Sequence, residues 1–301
     1  MSATILSGKT VSEHMILKLT EESRLLREKG IIPRLAILRV GEDMGSISYE
    51  KSIIKRMAAS EIEVESIVFS EDVTQDEFLA KLSEVNGNEL IHSILIFKPL
   101  PPQLDEEVIK YAISPAKDPD AMNPTNLGKL MIGDNEGFFP CTAEGVMKLL
   151  EYYEVDLKGK DVVIINNSAV VGKPLAMMMT NEFATVTMCH VYTKDVKSYT
   201  QKADIVVTAV GKYGLVNADM LSEDAILVDV AMSTMKDDDA NPVLDEKGKK
   251  VRAGDAHVDC LEKVKMVTSA TPGLGGGTGP ITTALLGEHV IKAAKLQSGL
   301  F

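Results

Sequence analysis

The sequence has no Trp, few other aromatic residues (seven Phe and seven Tyr) and only three Cys among 301 residues. Cys141, Cys189 and Cys260 form no Cys-x-x-Cys pair, so we predict neither a disulfide framework nor a metal site, and interpret them as reduced, mostly buried thiols. Apolar runs such as residues 94–97 are far shorter than the ~20 residues of a membrane-spanning helix. Lys9 and Glu13 interrupt the opening segment, so we also expect no basic and apolar leader. We therefore expect a cytoplasmic protein with no membrane partner.

Basic side chains are outnumbered, with 32 Lys and Arg against 44 Asp and Glu, which gives a net charge of −12. A field of that sign opposes a polyanion, so we predict no nucleic-acid partner. The length and the 45% hydrophobic content are typical of a globular chain of two domains.

Short β-rich segments alternate with helical ones along the chain. The patterns predict helices over residues 12–29, 46–60, 74–85, 142–153, from 172, and 282–296, and strands over 34–40, 64–69, 92–97, 161–165, 185–189, 205–209, 226–230 and 264–268. This alternation favours parallel sheets covered by helices, with a boundary between two α/β units near residues 144–157.

The segment 161–174 (DVVIINNSAVVGKP) reads as a buried strand, a turn and a helix that begins near Gly172. Free amides at the start of that helix would point at a pyrophosphate. The spacing is not Gly-x-Gly-x-x-Gly, so an ordinary turn explains this segment alone equally well. Later strands end at His190, Val210-Gly211 and Ala231-Met232, and open α/β sheets bind ligands at such ends. Together these features predict a dinucleotide-binding fold.

The choice of nicotinamide cofactor depends on cations near the ribose, because the 2′-phosphate of NADP requires them. Neither Asn166-Asn167-Ser168 nor the segment 190–193 (HVYT) contains an Arg. Lys194 could still reach the site, and Asp195 could pair with a ribose hydroxyl. We predict NAD as the cofactor and NADP as the less favoured one.

Several motifs occur together in register over essentially the whole chain. They are Val40-Gly41-Glu42-Asp43, Ser46-Ile47-Ser48-Tyr49, Pro99-Leu100-Pro101, Lys117-Asp118-Pro119-Asp120, Pro140-Cys141-Thr142, the segment 168–174 (SAVVGKP) and Gly279-Pro280-Ile281-Thr282. With them the chain resembles the methylenetetrahydrofolate dehydrogenase/cyclohydrolase family. The resemblance implies a catalytic, folate-binding domain of residues 1–147 plus 281–301, a Rossmann-like NAD(P)-binding domain of residues 148–280, and a folate cleft between them. It also implies a last helix that packs on the first domain and a homodimer formed through the nucleotide-binding domain.

The resemblance also assigns roles to single residues. Tyr49 matches a tyrosine that positions the folate, Asp120 matches an acid that accepts hydrogen bonds from the pterin, and Pro99 and Leu100 fall in the substrate site. Without the motifs, Tyr49 would be an edge aromatic and Asp120 an acid capping a turn. The residues expected to bind the cofactor are Asn166, Asn167, Ser168, Val170, Gly172, Val191, Tyr192, Val210, Gly211, Met232 and Thr282.

Two departures from the family pattern occur as a pair. Ile53 stands four residues after Tyr49, where the family has a catalytic lysine, and Phe97 stands where the family has a glutamine that supports that lysine. Lys51 and Lys55 would face other sides of a helix with 3.6 residues per turn, which leaves Lys98 as the one candidate to replace the lysine.

The two replacements should affect the dehydrogenase reaction less than the cyclohydrolase reaction. Hydride transfer from 5,10-methylenetetrahydrofolate depends mainly on positioning, whereas hydrolysis of the methenyl product requires proton transfers that an isoleucine cannot make. We therefore predict an NAD-preferring dehydrogenase with weak or absent cyclohydrolase activity. The alternatives are a full bifunctional enzyme that uses Lys98, a folate- or nucleotide-binding protein without turnover, and a dehydrogenase of amino or hydroxy acids, for which His92 and His257 lack a suitable motif. The sequence assigns no role to the long glycine-rich loop 273–279.

Overall fold

The computed structural model describes residues 3–237 and 239–300. The chain divides into two compact units: unit 1 comprises Met1–Ser12 and Thr142–Thr282, and unit 2 comprises Glu13–Cys141 and Thr283–Phe301. The predicted division, 1–147 with 281–301 against 148–280, differs most in its first twelve residues, which belong to unit 1. The last helix contributes residues 283–297 to unit 2.

Unit 2 is built on a three-stranded parallel sheet of order β3-β2-β4, in which Leu35 of β2 is in register with both Val64 and Ser93. Its strands are β2 (Arg34–Val40), β3 (Glu63–Phe69) and β4 (Ser93–Ile96). Its helical elements are α2 (Met44–Ala59), α3 (Gln75–Gly87), α4 (Glu106–Ala112), a 3-10 turn (Pro115–Lys117) and α5 (Pro124–Met131), together with most of α1 (Gly8–Glu28) and α10 (Gly279–Gln297). Leu35, Ile37 and Leu38 are completely buried, because a central parallel strand is covered on both faces.

Local signals in unit 2 fix where helices begin. The side chain of Asp43 caps α2 by accepting a hydrogen bond from Ser46 N at 2.7 Å. Thr74 and Glu77 form a capping box at the start of α3, whose Phe78 and Leu82 then point into the core.

Unit 1 contains a six-stranded parallel sheet of order β1-β11-β8-β7-β5-β6. The strands are β1 (Thr4–Ile5), β5 (Asp161–Ile165), β6 (Thr185–Cys189), β7 (Ile205–Thr208), β8 (Ile226–Asp229) and β11 (Met266–Thr268), with a separate antiparallel pair, β9 (Ser233–Thr234) and β10 (Arg252–Ala253). The helices are α6 (Cys141–Tyr152), α7 (Gly172–Asn181), α8 (Val196–Thr200) and α9 (Cys260–Lys263), with a 3-10 turn at Ala218–Met220. Parallel sheets covered by helices are thus confirmed.

Several strand bounds and the state of the cysteines agree with the sequence analysis, whereas one strand was not expected. The strands predicted at 34–40, 161–165 and 185–189 have those bounds in the structure, and the three cysteines are free and buried. Strand β1 was not predicted, because two residues are too short to produce a periodic pattern. It joins unit 1 through backbone pairing with β11, where Thr4 lies opposite Met266. Among the described residues, no helix has both the length and the apolar character needed to cross a membrane.

Candidate functional site

The sheet order of unit 2 places Tyr49 beside Phe97. The chain leaves β2 toward β3 on one side and returns to β4 on the other, so the segments after β2 and β4 diverge where open α/β sheets bind ligands. Tyr49 lies on α2 and Phe97 directly after β4, with ring centroids 5.4 Å apart. Arg39 at the end of β2 fixes α2 there, since its Nε lies 2.7 Å from Glu50 Oε2 in a buried ion pair.

The position of the family's lysine is apolar and closed in this chain. Ile53 is completely buried on the same face of α2 as Glu50 and Met57, and Phe97 is 7% exposed. Lys51 and Lys55 on the same helix are exposed. Tyr49, one turn earlier on α2, is 47% exposed.

The loop that follows α4 is ordered by a buried carboxylate, that of Asp118, to which the sequence analysis assigned no role. Asp118 is 1% exposed and accepts hydrogen bonds from Met122 N at 3.0 Å and from Asn123 N at 2.7 Å. The side chain of Asn126, also buried, donates to Pro115 O at 3.0 Å. Desolvation raises the pKa of Asp118 to about 6, against the hydrogen bonds, which lower it. A buried acid that serves only to hold a loop in place indicates that the position of this loop is important for function.

Asp120 is presented by that loop as an exposed residue whose carboxyl group is nevertheless partly desolvated. Asp120 is exposed, and its Oδ1 accepts a hydrogen bond from Cys141 N at 2.8 Å. The surrounding protein raises the pKa of this carboxyl by desolvation, while the Cys141 hydrogen bonds and the charge of Lys98 lower it. An accessible carboxylate with one oxygen held internally can accept hydrogen bonds from the adjacent N–H groups of a ligand.

Tyr49 and Lys98 both interact electrostatically with Asp120. Desolvation and the nearby carboxylate of Asp120 raise the pKa of Tyr49 to about 12, so this hydroxyl keeps its proton at neutral pH and acts as a hydrogen-bond donor. The Lys98 ammonium forms an ion pair with Glu106 Oε1, which engages the one lysine considered as a replacement. Of the predicted substrate contacts, Pro99 is exposed, whereas Leu100 is half-buried and packs against the core.

In unit 1, the turn after β5 is held from within by Asn166. Its Oδ1 accepts hydrogen bonds from Ser168 N at 2.8 Å and Gly172 N at 3.0 Å, and its Nδ2 donates to Ala209 O at 2.6 Å. Lys173 N donates to Ser168 O at 3.0 Å, and Pro174 has no N–H. The prediction that α7 offers free amides to a pyrophosphate is therefore wrong, because the turn itself occupies them. Asn166 and Gly172 form the frame of this turn.

The open donors lie earlier in the same turn. The backbone amides of Asn167, Ala169 and Val170 have no hydrogen-bond partner within the described residues, and all three residues are exposed. Ser168 Oγ accepts from Val171 N at 3.1 Å. Lys173, also exposed, follows Val170 by three residues and adds a cation to this segment. Free amides with a neighbouring cation are a fit for the phosphates of a dinucleotide.

The end of β6 forms an exposed turn. Val191 is 88% exposed and Tyr192 is 87% exposed, while Thr193 Oγ1 accepts a hydrogen bond from His190 N at 2.9 Å. Asp195 caps α8 by accepting a hydrogen bond from Ser198 N at 3.2 Å, so its carboxylate already has a structural partner. Lys194 is exposed and is the cation nearest to this turn in sequence.

The turn after β7 is organised by Asp255, which the sequence reading missed. This completely buried carboxylate accepts four hydrogen bonds, from Thr208 Oγ1 and Val210 N on Oδ2 and from Gly211 N and Lys212 N on Oδ1, at 2.6 to 2.7 Å. The predicted cofactor contacts Val210 and Gly211 therefore turn their amides inward, which leaves the half-exposed Val210 side chain and the backbone surface for a ligand.

A second buried acid, Asp229, lies at the end of β8. It accepts hydrogen bonds from Ala231 N at 3.0 Å, Ala256 N at 2.8 Å and Ser269 Oγ at 2.6 Å. Burial and the charge of Asp255 raise its pKa to about 6. Met232, which follows this strand, is 57% exposed, and a Cβ added to Gly211 would lie 3.8 Å from Met232 O. The predicted residues at the ends of β7 and β8 are thus neighbours.

Thr282 is half-buried at the start of α10 in unit 1. A Cβ added to Gly145 of α6 would lie 3.7 Å from Thr282 Oγ1, so the absence of a side chain at Gly145 leaves that hydroxyl uncovered on this side.

Comparisons with known proteins agree over nearly the whole length. The model of the tetrahydrofolate dehydrogenase/cyclohydrolase catalytic domain matches residues 6–120, and that of the NAD(P)-binding domain matches residues 140–298. The bifunctional protein FolD of Clostridium botulinum is 44% identical over 300 residues, which span 98% of this chain and all of the relative. The structure of the bifunctional FolD enzyme of Campylobacter jejuni has a TM-score of 0.88 at 38% identity, over 98% of this chain and 99% of its own. The Trypanosoma brucei enzyme, solved with NADP and an inhibitor, has a TM-score of 0.88 at 31% identity and covers 99% of both chains.

Proposed function

Because this chain belongs to the tetrahydrofolate dehydrogenase/cyclohydrolase family and is an NAD(P)-dependent methylenetetrahydrofolate dehydrogenase, we propose that it prefers NAD and hydrolyses 5,10-methenyltetrahydrofolate slowly or not at all. The observation that carries the second half of the proposal is the pair of apolar residues beside Tyr49. Ile53 is completely buried and Phe97 contacts the Tyr49 ring.

The residues of unit 1 fit a dinucleotide. The open amides of Asn167, Ala169 and Val170 would hold its phosphates, and the exposed Val191 and Tyr192 would contact the adenosine part. A dinucleotide held there would supply the nicotinamide as hydride acceptor for the one-carbon unit of the folate.

The residues of unit 2 bind and orient the folate. The carboxylate of Asp120 accepts hydrogen bonds from the pterin, and the protonated Tyr49 hydroxyl donates to the substrate. Both tasks fix the substrate in place, which is the main requirement for hydride transfer.

Hydrolysis places a different demand on the same residues, because water attack requires a group that takes and gives protons. Tyr49, whose pKa is raised to about 12, holds its proton too tightly to serve as a base at neutral pH, and neither Ile53 nor Phe97 ionises. A positioned general acid/base is worth about 10²–10⁴-fold in rate, so we expect hydrolysis to be slower by about that factor than in an enzyme that carries the lysine.

The preference for NAD is supported by the charges at the ends of β5 and β6. Residues 166–170 and 190–193 carry no Arg or Lys, and an extra phosphate on the ribose needs such partners. Lys173 and Lys194 are the exposed cations at the borders of these turns. Their presence makes turnover of NADP at lower efficiency the expected second activity.

The experiment is a set of steady-state assays on one preparation. Oxidation of methylenetetrahydrofolate is followed with NAD and with NADP, and methenyltetrahydrofolate hydrolysis is followed without cofactor. Hydrolysis at a rate comparable with hydride transfer would refute the loss of cyclohydrolase activity, and a higher kcat/KM with NADP would refute the cofactor preference. Ile53→Lys combined with Phe97→Gln is expected to raise hydrolysis while oxidation persists.

The full bifunctional enzyme is the second candidate, because Lys98 lies close enough to Asp120 for its charge to lower the pKa of that carboxyl. Lys98→Ala tests it, and Lys55→Ala, which removes an exposed lysine from α2, is the matched control. A selective fall in hydrolysis for Lys98→Ala would favour this candidate. Equal hydrolysis by the wild type and both variants would exclude Lys98 from the reaction.

We also propose a homodimer formed through unit 1, in a cytoplasmic location. The proposal is supported by β6, an edge strand that pairs only with β5 among the described strands and whose Met188 is 40% exposed. Light scattering on a sizing column would give twice the chain mass for a dimer, and the single-chain mass would refute it.

A further inference from the structure

The carbonyl oxygen of Pro119, one residue before Asp120, receives two side-chain hydrogen bonds from distant parts of unit 2. His289 Nδ1 on α10 lies 2.5 Å from this oxygen, and Cys141 Sγ lies 3.3 Å from it. Cys141 also donates its backbone N–H to Asp120 Oδ1 at 2.8 Å. The peptide bond that leads into Asp120 is therefore held from outside the loop.

The protonation of His289 follows from its partner. A carbonyl oxygen can only accept, so Nδ1 carries a proton and donates it to Pro119. Both donors are buried, with His289 3% and Cys141 2% exposed, whereas Asp120 is exposed. The ring of His289 is also fixed by Phe138, at 5.5 Å between centroids in an edge-to-face arrangement.

Asp120 needs such external support because the loop alone does not fix it. Asp118 binds the amides of Met122 and Asn123, which lie after Asp120, and none of its hydrogen bonds reaches Asp120 itself. Ala121, the next residue, adopts a left-handed backbone with φ of 54°, which is costly for a residue with a Cβ. The backbone around Asp120 is thus held in an unfavourable conformation that surrounding contacts must stabilise.

We propose that His289 is a positioning residue that sets the place of the Asp120 carboxylate through the carbonyl of Pro119, and thereby the affinity for the folate. The inference rests on the proposed function, in which Asp120 binds the pterin. His289 lies 170 residues from Pro119 in sequence, so the last helix of the chain contributes to folate recognition without being assumed to contact the folate.

Two substitutions of His289 separate the position of the donor from simple polarity. Asn can place an N–H near the site of Nδ1, whereas Gln keeps an amide of similar size but moves the N–H outward. His289→Gln is expected to raise the folate KM about tenfold, with kcat and the cofactor KM within about twofold of wild type. His289→Asn is expected to keep the folate KM within about threefold of wild type.

Val290→Ala is the matched control, because Val290 is the next residue on α10 and is completely buried. It is expected to lower thermal stability without changing the folate KM. Cys141→Ala supplies a second variant in case His289→Gln does not fold: it removes the thiol donor, keeps the backbone N–H to Asp120, and is expected to raise the folate KM severalfold. The proposal is overturned if His289→Gln leaves the folate KM unchanged, or if Val290→Ala raises it as much.

Asp120→Ala distinguishes a failure of the positioning role of His289 from a failure of the proposed folate-binding role of Asp120. If it raises the folate KM while His289→Gln does not, only the positioning role fails and the proposed function stands. If Asp120→Ala leaves the folate KM unchanged, the assigned role of Asp120 fails and the inference about His289 fails with it.

Discussion

Asp255→Asn tests whether a buried carboxylate sets the turn after β7 for the cofactor. The carboxylate accepts hydrogen bonds from Thr208 Oγ1 and from three consecutive backbone amides. Asn has the same shape but only one oxygen, so two of these donors lose their acceptor. The least costly orientation places Nδ2 toward Thr208, because a hydroxyl can turn and accept a hydrogen bond. Only the partly buried amide of Val210 then has no partner.

The expected loss of stability follows from that count. One buried amide without a partner costs about 1–3 kcal/mol, and two remaining hydrogen bonds to a neutral oxygen are each weaker than those to a carboxylate. We therefore expect Asp255→Asn to destabilise unit 1 by about 2–4 kcal/mol. Because the turn that moves carries Val210 and Gly211, we also expect a cofactor KM about tenfold higher and a folate KM within about twofold of wild type.

The assay combines urea unfolding with steady-state kinetics in which cofactor and folate are varied separately. Thr208→Val is the control, since it removes one hydroxyl donor and leaves all three amides bound; we expect a loss of about 1 kcal/mol and an unchanged cofactor KM. An unchanged cofactor KM in a measurably destabilised Asp255→Asn variant would refute the link between this turn and the cofactor. An unchanged free energy of unfolding would refute the claim that the four hydrogen bonds to Asp255 stabilise unit 1.

Two further predictions concern stability. The pKa of Asp229 is raised to about 6 in the folded state, so the folded protein binds a proton at this residue more tightly than the unfolded chain does. The stabilisation of the fold by this proton is complete below the unfolded pKa and is lost as the pH rises through 6. The free energy of unfolding of unit 1 should therefore be about 1 kcal/mol larger at pH 5 than at pH 7. Urea titrations should show no such increase for Asp229→Asn. Gly172→Ala should destabilise by about 2 kcal/mol or more, because its Cβ would lie 2.3 Å from Asn166 O, whereas Gly128→Ala in α5, with nothing within 4 Å, should be neutral or stabilising in thermal unfolding. Equal shifts in melting temperature for the two glycine variants would contradict the second prediction.

Much of the fold could be predicted because the central strands are read directly as apolar runs. Residues 35–38 and 162–165 are buried on both faces of their sheets, so their sequence is continuously apolar and their bounds are clear. The places of Tyr49 and Phe97 follow as well, because Tyr49 comes shortly after the predicted strand 34–40 and Phe97 ends the predicted strand 92–97. The pairing of Thr4 with Met266 depends on backbone hydrogen bonds across the chain and leaves no periodic signal.

The groups that shape the turns could not be predicted, because their partners are distant in sequence. Asp255 accepts its four hydrogen bonds from residues 43 to 47 positions earlier, and Asn166 donates to a carbonyl 43 positions later. An acid or amide in a loop has the same appearance in sequence whether it faces a ligand or its own backbone. This is why the amide of Gly172 was expected to face a phosphate and instead donates to Asn166.

The same internal hydrogen bonds bear on the choice of cofactor. In a chain with a net charge of −12, an anionic cofactor must be attracted by local donors. The amides after β7 are directed at the negative charge of Asp255, and those at the start of α7 are bound by Asn166 and Ser168. The donors left for phosphate are the three open amides of residues 167, 169 and 170, with Lys173 beside them. In the proposed function this set holds the phosphates common to both cofactors. Residues 190–193 at the end of β6 contain no Arg or Lys, so each substitution that adds a cation there should shift the kcat/KM ratio toward NADP.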